Sequence, residues 1–385
     1  MMKFLTPLLK AVSSLQLTLL CLGAALVLVF AGTLAQRQLD TFYVQREYFQ
    51  SWLVMWSATP DFSLPVFPGG HLIGGLLLLN LIAAHIRRFS WTWKKLGIQL
   101  THLGLIIMLG GGLATDLLSV SSFMVIPVGG TSNYSYNPDH TELALASSGA
   151  ASGTVIPDTV LKEGGAITHP SLPFKIVVRN FFENSQLSDI KPDSPSAAAA
   201  THGIGTRVSV RPQPRATRKD QFNTVSAVVE ILPTDGSPSL GTWLVSDAMA
   251  GPQAFDLAGR KWNLELRYTR YYKPYSLTLD KIAHDVYPGT QIPKNYSSSV
   301  TLDDTASREH RQVLIWMNHP LRYQGDTYYQ HKQDSGSSTF QVVRNPSFLA
   351  PYVACIIVGL GLIIQFSYHL IRFTRRTRVQ PAAAS

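Results

Sequence analysis

The sequence predicts a polytopic α-helical membrane protein: four transmembrane helices with a large, mainly antiparallel β domain on the extracytoplasmic side. Three observations carry that expectation. Four apolar runs are long enough to cross a bilayer, Lys and Arg cluster at one set of their flanks, and short β-rich segments fill the stretch between the third and fourth runs. Composition alone hides the pattern. Hydrophobic residues are 45% of the 385-residue chain and mean hydropathy is +0.08, because an apolar part and a mixed part average out.

A bilayer core takes about 20 apolar residues of helix, and the four runs are 15–34, 67–86, 96–118 and 348–371. They divide the chain into an N-terminal membrane region (1–118), a β-rich domain (119–346), a last span (347–371) and a basic tail (372–385). Cytoplasmic flanks collect Lys and Arg. Lys3 and Lys10 precede the first run, Arg87, Arg88, Lys94 and Lys95 flank the turn between the second and third, and Arg372, Arg375, Arg376 and Arg378 follow the fourth. No acid lies among these ten residues, whereas 119–346 is almost neutral, with 21 Lys and Arg against 20 Asp and Glu. The net charge of +9 is therefore an orientation signal and not a nucleic-acid footprint. It places both termini in the cytoplasm, with the 36–66 loop and the 119–346 domain outside the inner membrane. The first run could also be a cleaved signal peptide ending near Thr33-Leu34-Ala35. Its apolar stretch exceeds the 7–15 residues of a usual signal core, and its removal would put the basic tail on the wrong side.

The two cysteines, Cys21 and Cys355, both fall inside spans. By helical rise their depths differ by about 10 Å or more, too far for a disulfide. The outer domain has no Cys, so it is neither disulfide-stapled nor a thiol redox module. Its strands are expected at 175–182, 207–211, 224–232, 242–245, 262–272, 298–302, 312–317, 327–331 and 339–343, where Val, Ile, Phe and Trp often alternate with polar residues between turn formers. The Pro-, Ser- and Ala-rich stretch 188–205 reads as a mobile loop. The domain carries no Ser-His-Asp elbow, no paired-carboxylate motif and no phosphate loop. His140, His169, His202, His284, His310, His319 and His331 show no metal-ligand spacing. It reads as a binding or positioning domain, with no enzyme activity of its own.

Chemistry is expected in the membrane, where an ionisable side chain is costly and a functional candidate by default. His71 lies at the outer surface and His85 at the cytoplasmic one; His369 is interfacial too. His102 lies six residues beyond Leu96, about 9 Å deeper, among apolar neighbours. Counting from the 87–95 turn puts Asn80 at a similar depth. Two readings stay open: a neutral imidazole hydrogen-bonded to Asn80, or an axial ligand to haem iron. Gly104, Gly110, Gly111 and Gly112 suit either a macrocycle or close helix packing.

Several stretches resemble a known family. Ser13–Gln36, closing in Gly32-Thr33-Leu34-Ala35-Gln36, is similar to the first helix of ResB-like (CcsB-type) cytochrome c biogenesis proteins. Thr101-His102-Leu103-Gly104, Met108-Leu109-Gly110-Gly111, Phe123-Met124-Val125-Ile126-Pro127 and Gly129-Gly130-Thr131-Ser132 look like that family's third helix and its exit. Asn318-His319-Pro320-Leu321, Tyr323-Gln324-Gly325, Tyr328-Tyr329-Gln330 and Val342-Val343-Arg344-Asn345-Pro346 resemble its juxtamembrane signature. The chain departs at Ala35, where the family has proline, and at Asp116, where a basic residue is common. The resemblance implies an accessory subunit of the System II haem lyase, working with a CcsA-type partner that attaches haem to apocytochrome c. It implies haem b as a transient, shared cofactor, with His102 as the candidate iron ligand and Asn80 and His85 as further candidates. The Trp-rich haem segment belongs to the partner; Trp91 and Trp93 here read as interfacial anchors. The rival readings are a membrane-anchored β scaffold that binds no haem and a b-type electron carrier.

Overall fold

The computed structural model describes residues 9–59, 62–90, 92–149, 153–190, 197–216, 223–289 and 293–379. Two compact units emerge: one holds the chain through Val120 and from Asn345 onward, the other runs from Ser121 to Arg344.

The first unit contains four helices long and apolar enough to cross a membrane: α1 (Leu15–Ala35), α2 (Gly70–Arg88), α3 (Leu96–Leu118) and α4 (Ala350–Val379). The Ser14 hydroxyl caps α1 by accepting from the Leu17 N–H at 3.2 Å. The second span starts later than its apolar run suggests. Phe67 and Pro68 end a strand, β2 (Phe62–Pro68), that pairs antiparallel with β1 (Leu53–Thr59). A hairpin in the 36–66 loop was not expected, because apolar strand residues running into an apolar helix leave no compositional break. The last helix runs through the basic tail as far as Val379. Lys3, Trp91 and residues 380–385 lie outside the described residues.

Helices α3 and α4 meet backbone to backbone. A Cβ on Gly104 would lie 2.5 Å from Val358 Cγ2 and 2.9 Å from the Ala354 carbonyl oxygen. One on Gly97 would lie 2.6 Å from the Gly361 carbonyl oxygen, and one on Gly111 2.5 Å from Ala350 Cβ. Residues 97, 104 and 111 are seven apart, two turns each, so they form one small-residue stripe. At its end Asn345 donates to Thr115 Oγ1 at 3.2 Å, and the Thr115 and Ser347 hydroxyls lie 2.8 Å apart.

The second unit is mainly antiparallel β, as expected. Ten strands make its large sheet: β3 (Val120–Pro127), β4 (Thr131–Ser147), β5 (Thr154–Pro157), β12 (Gln253–Leu257), β13 (Arg260–Val286), β14 (Pro293–Asp304), β15 (Glu309–Trp316), β16 (Leu321–Tyr323), β17 (Asp326–Asp334) and β18 (Ser337–Arg344). Strands β6 (Gly165–Ile167), β7 (Phe174–Phe182), β10 (Ser226–Pro233) and β11 (Thr242–Ser246) form a four-stranded sheet; β8 (Ser185–Asp189) and β9 (Val208–Pro212) pair separately. One core packs Leu143, Leu145, Phe174, Ile176, Val229, Ile231 and Leu264 between the sheets. A second gathers Met124, Ile126, Leu277, Leu279, Val300, Tyr328 and Phe340.

The 27-residue β13 serves both cores. Its buried positions are Trp262, Leu264 and Leu266 in one half but Tyr275, Leu277 and Leu279 in the other. Strand side chains alternate with period two, so this change of parity requires a break, and the register with β4 shifts after Tyr268 and again after Tyr272. Of the stretch 188–205, residues 191–196 lie outside the described residues. The rest is not loose: Ala200 is buried with Val208, Val228 and Leu244, and a turn of 3₁₀ helix covers Gly203–Thr206.

Candidate functional site

The α2–α3 hairpin brings His102 beside His85, not beside Asn80. The two imidazole centroids lie 6.3 Å apart with ring planes at 67°. His85 Nδ1 is buried and has no hydrogen-bond partner among the described residues, and the ring meets Phe89 edge-on at 5.7 Å. Asn80, 4% exposed, gives its amide to α1 instead. Its Nδ2 donates to the carbonyls of Val12 (2.6 Å) and Ser14 (3.0 Å), and its Oδ1 accepts from the Thr18 hydroxyl at 2.7 Å. Asn80 is therefore helix glue. Depth matched Asn80 to His102, but depth does not fix direction: at about 100° per residue, positions 80 and 85 point about 140° apart on α2.

At the other end of the same hairpin, His71 Nε2 lies 2.6 Å from Asp116 Oδ2, and Gln50 donates to Asp116 Oδ1 at 2.6 Å. This pair was not foreseen: Asp116 read only as a departure from a family pattern, and His71 as a solitary interfacial residue. His369 bonds Gln365 one turn away at 2.6 Å. Both cysteines are free, Cys21 buried and Cys355 exposed.

Whether the hairpin suits a haem rests on its imidazoles. Two lie within one ring contact of each other, and a buried ring nitrogen has no hydrogen-bond partner among the described residues. An unpartnered buried polar atom is a cost that a ligand would relieve, and imidazole nitrogen is a standard axial ligand. The residues fit. The glycines divide: Gly104 and Gly111 are small to admit α4, whereas a Cβ on Gly110 or Gly112 would meet nothing within 4 Å.

The juxtamembrane signature builds one corner of the β domain. Gln324 (φ +46°) and Gly325 (φ +84°) turn the chain between β16 and β17, with both residues at the positive φ that a tight hairpin prefers. Tyr328 is fully buried, its hydroxyl 2.7 Å from that of Tyr275. Tyr275 also donates to Asp326 at 3.0 Å, and Asp326 pairs with Lys273 (2.7 Å) and Arg344 (3.0 Å). Burial pushes both phenols well above their ordinary pKa, so they serve as neutral hydrogen-bonding groups.

Residues 261–339, from the start of β13 into β18, match the model of the ResB-like family. The chain is 29% identical over 108 residues to "Protein NrfI" of Wolinella succinogenes, a match covering 28% of the chain and 12% of that protein. It is 32% identical over 79 residues to "Cytochrome c biogenesis protein CcsB" of a Picosynechococcus species, covering 20% of the chain and 17% of the relative. The matches thus span less than a fifth of either relative's length. The ResB-like match itself lies wholly in the β domain, so His85 and His102 fall outside it.

Proposed function

We propose that this protein is a membrane subunit of a cytochrome c maturation system of the System II type. It holds haem in the α2–α3 hairpin and presents it, with apocytochrome c, to a CcsA-type partner that makes the covalent attachment. The observation that carries the haem role is the His85–His102 pair: two imidazoles in contact within an apolar hairpin, one with a buried, unpartnered nitrogen. The ResB-like match and the name of the Picosynechococcus relative support the pathway. The basic flanks support an inner-membrane orientation with both termini cytoplasmic and the β domain outside.

Haem in this setting is cargo and supplies the group that becomes attached to the cytochrome. His102 and His85 would offer ring nitrogens to its iron. Asn80 fixes α2 against α1, and the glycine stripe fixes α3 against α4.

The test uses the protein purified with its membrane partner. His102→Gly should lower haem content and abolish holocytochrome c formation, and added imidazole should restore part of both by binding the iron in the vacated space. His85→Ala should change the visible spectrum with a smaller loss, and His71→Ala should be mild. Full haem content and normal cytochrome c maturation in His102→Ala would refute the reading.

A further inference from the structure

In the β domain, His319 is exposed and held in a defined orientation. Strand β15 ends at Trp316, and after Met317-Asn318 the chain folds back so that His319 lies against it. The Trp316 N–H donates to the His319 carbonyl at 3.3 Å, and the His319 N–H to the Trp316 carbonyl at 3.0 Å. Asn318 makes the turn at φ +63°, a left-handed conformation that Asn enters more easily than most residues. Pro320 follows, which holds the backbone of His319 extended. Both constraints fix the ring. It stacks on Trp316 with centroids 3.6 Å apart and planes within 7°.

The proton position follows from the partner. His319 Nδ1 lies 3.3 Å from the Met317 carbonyl oxygen. A carbonyl can only accept, so in the neutral ring Nδ1 carries the proton and Nε2 keeps its lone pair. Metal-bound histidines have this arrangement, with the second nitrogen donating to a backbone carbonyl. His319 is exposed, and among the described residues Nε2 has no hydrogen-bond partner. Leu314 (57%) and Trp316 (37%) on the edge strand, and Met317 (44%) in the turn that follows it, are exposed as well. A water-facing polar site has no use for three exposed apolar side chains, whereas an apolar planar ligand does.

We infer that His319 is an axial ligand for haem iron in the β domain, with Leu314, Trp316 and Met317 offering apolar contact to the porphyrin. It gives this subunit a haem station of its own outside the helices, in addition to the His85–His102 pair. The inference rests on the reading that the protein handles haem, and the experiment separates the two.

Full-length protein in lipid nanodiscs, carrying His85→Ala and His102→Ala, is titrated with hemin and followed by its Soret band and electron paramagnetic resonance. One hemin should bind with a histidine-ligated spectrum. Adding His319→Ala should weaken binding by about tenfold or more and remove that spectrum. His319→Gly should regain the spectrum with added imidazole, which separates lost coordination from lost folding. Unchanged affinity and spectrum in the His319→Ala background would overturn the inference, even where His102→Gly empties the helical site and leaves the functional reading standing. Unaltered haem content in the His102 variants, together with loss of hemin at His319→Ala, would overturn the helical reading and keep this one.

Discussion

Asp304 shows how a signature residue and a residue outside the signature share one job. Its carboxylate accepts from the Tyr323 hydroxyl and Gln324 Nε2, both at 2.7 Å, and from the Ala306 and Ser307 N–H groups at 2.9 and 3.2 Å. It thereby holds Gln324 at a positive φ that a non-glycine residue resists. The Tyr323 hydrogen bond, then the backbone donors, keep the Asp304 pKa below its ordinary value. A depressed carboxylate stabilises the fold above its unfolded pKa, and that stability is lost as pH falls through the folded value. Thermal unfolding followed from pH 7 downward should therefore show stability falling below about pH 4, near the ordinary Asp pKa. Asp304→Asn should lower the Tm at pH 7 and flatten that acid limb; a variant curve parallel to the wild type throughout would contradict the assignment. At the same scale, His102 stands out in the sequence as an ionisable residue deep in an apolar run. His85 was named as a further candidate, but its approach to His102 was not readable, since depth is countable from a sequence but the direction a side chain faces around its helix depends on packing. The Asn80 amide, claimed by α1, illustrates the difference.

Helices and strands differ in how openly the chain announces them. An apolar run of about 20 residues leaves few alternatives, and four helices stand where four runs were read. Strands are harder. The 17-residue β4 was missed because Thr141, Glu142, Leu143, Ala144 and Leu145 are all buried in succession, so no alternation marks it. Glu142 can be buried there because Arg267, opposite it on β13, donates to it at 3.0 Å. The C-terminal half of β13 was missed because its parity changes midway. Glycine roles within α3 were also not readable, since a run of small residues does not say which of them meets a neighbour. The structure separates them in a testable way. Gly104→Leu would drive a side chain into Val358 and the Ala354 carbonyl, costing about 1–3 kcal/mol in overpacking. Gly110→Ala has open space and should fall within about 0.5 kcal/mol of wild type. Thermal unfolding in nanodiscs measures both, and equal effects would dismiss the stripe as the α3–α4 contact.

At the scale of the whole molecule, one sequence carries two solutions to burying apolar surface. The helices leave large hydrophobics such as Leu20, Leu26, Phe30, Ile356 and Phe366 exposed for lipid to cover, whereas the β domain covers its own in two cores. The β domain is inserted between α3 and α4, and the Asn345–Thr115–Ser347 bonds bring the end of α3 and the start of α4 together. The two chain segments that lead to the domain therefore leave the helices from the same end. The basic residues gather at the opposite helix ends, around the 89–95 turn and beyond the last span. Because the positive side stays in the cytoplasm, the end bearing the β domain should face outward. Protease added to intact spheroplasts should cut within 119–346 and spare an epitope placed after Arg372–Arg378, and protease added to inverted vesicles should do the reverse. The domain is nearly neutral, so moving charge at the turn alone should test the cause. Replacing Arg87, Arg88, Lys94 and Lys95 with Gln should yield a fraction of molecules with mixed protease accessibility. A fully retained orientation would mean that the tail and N-terminal charges set it without the turn.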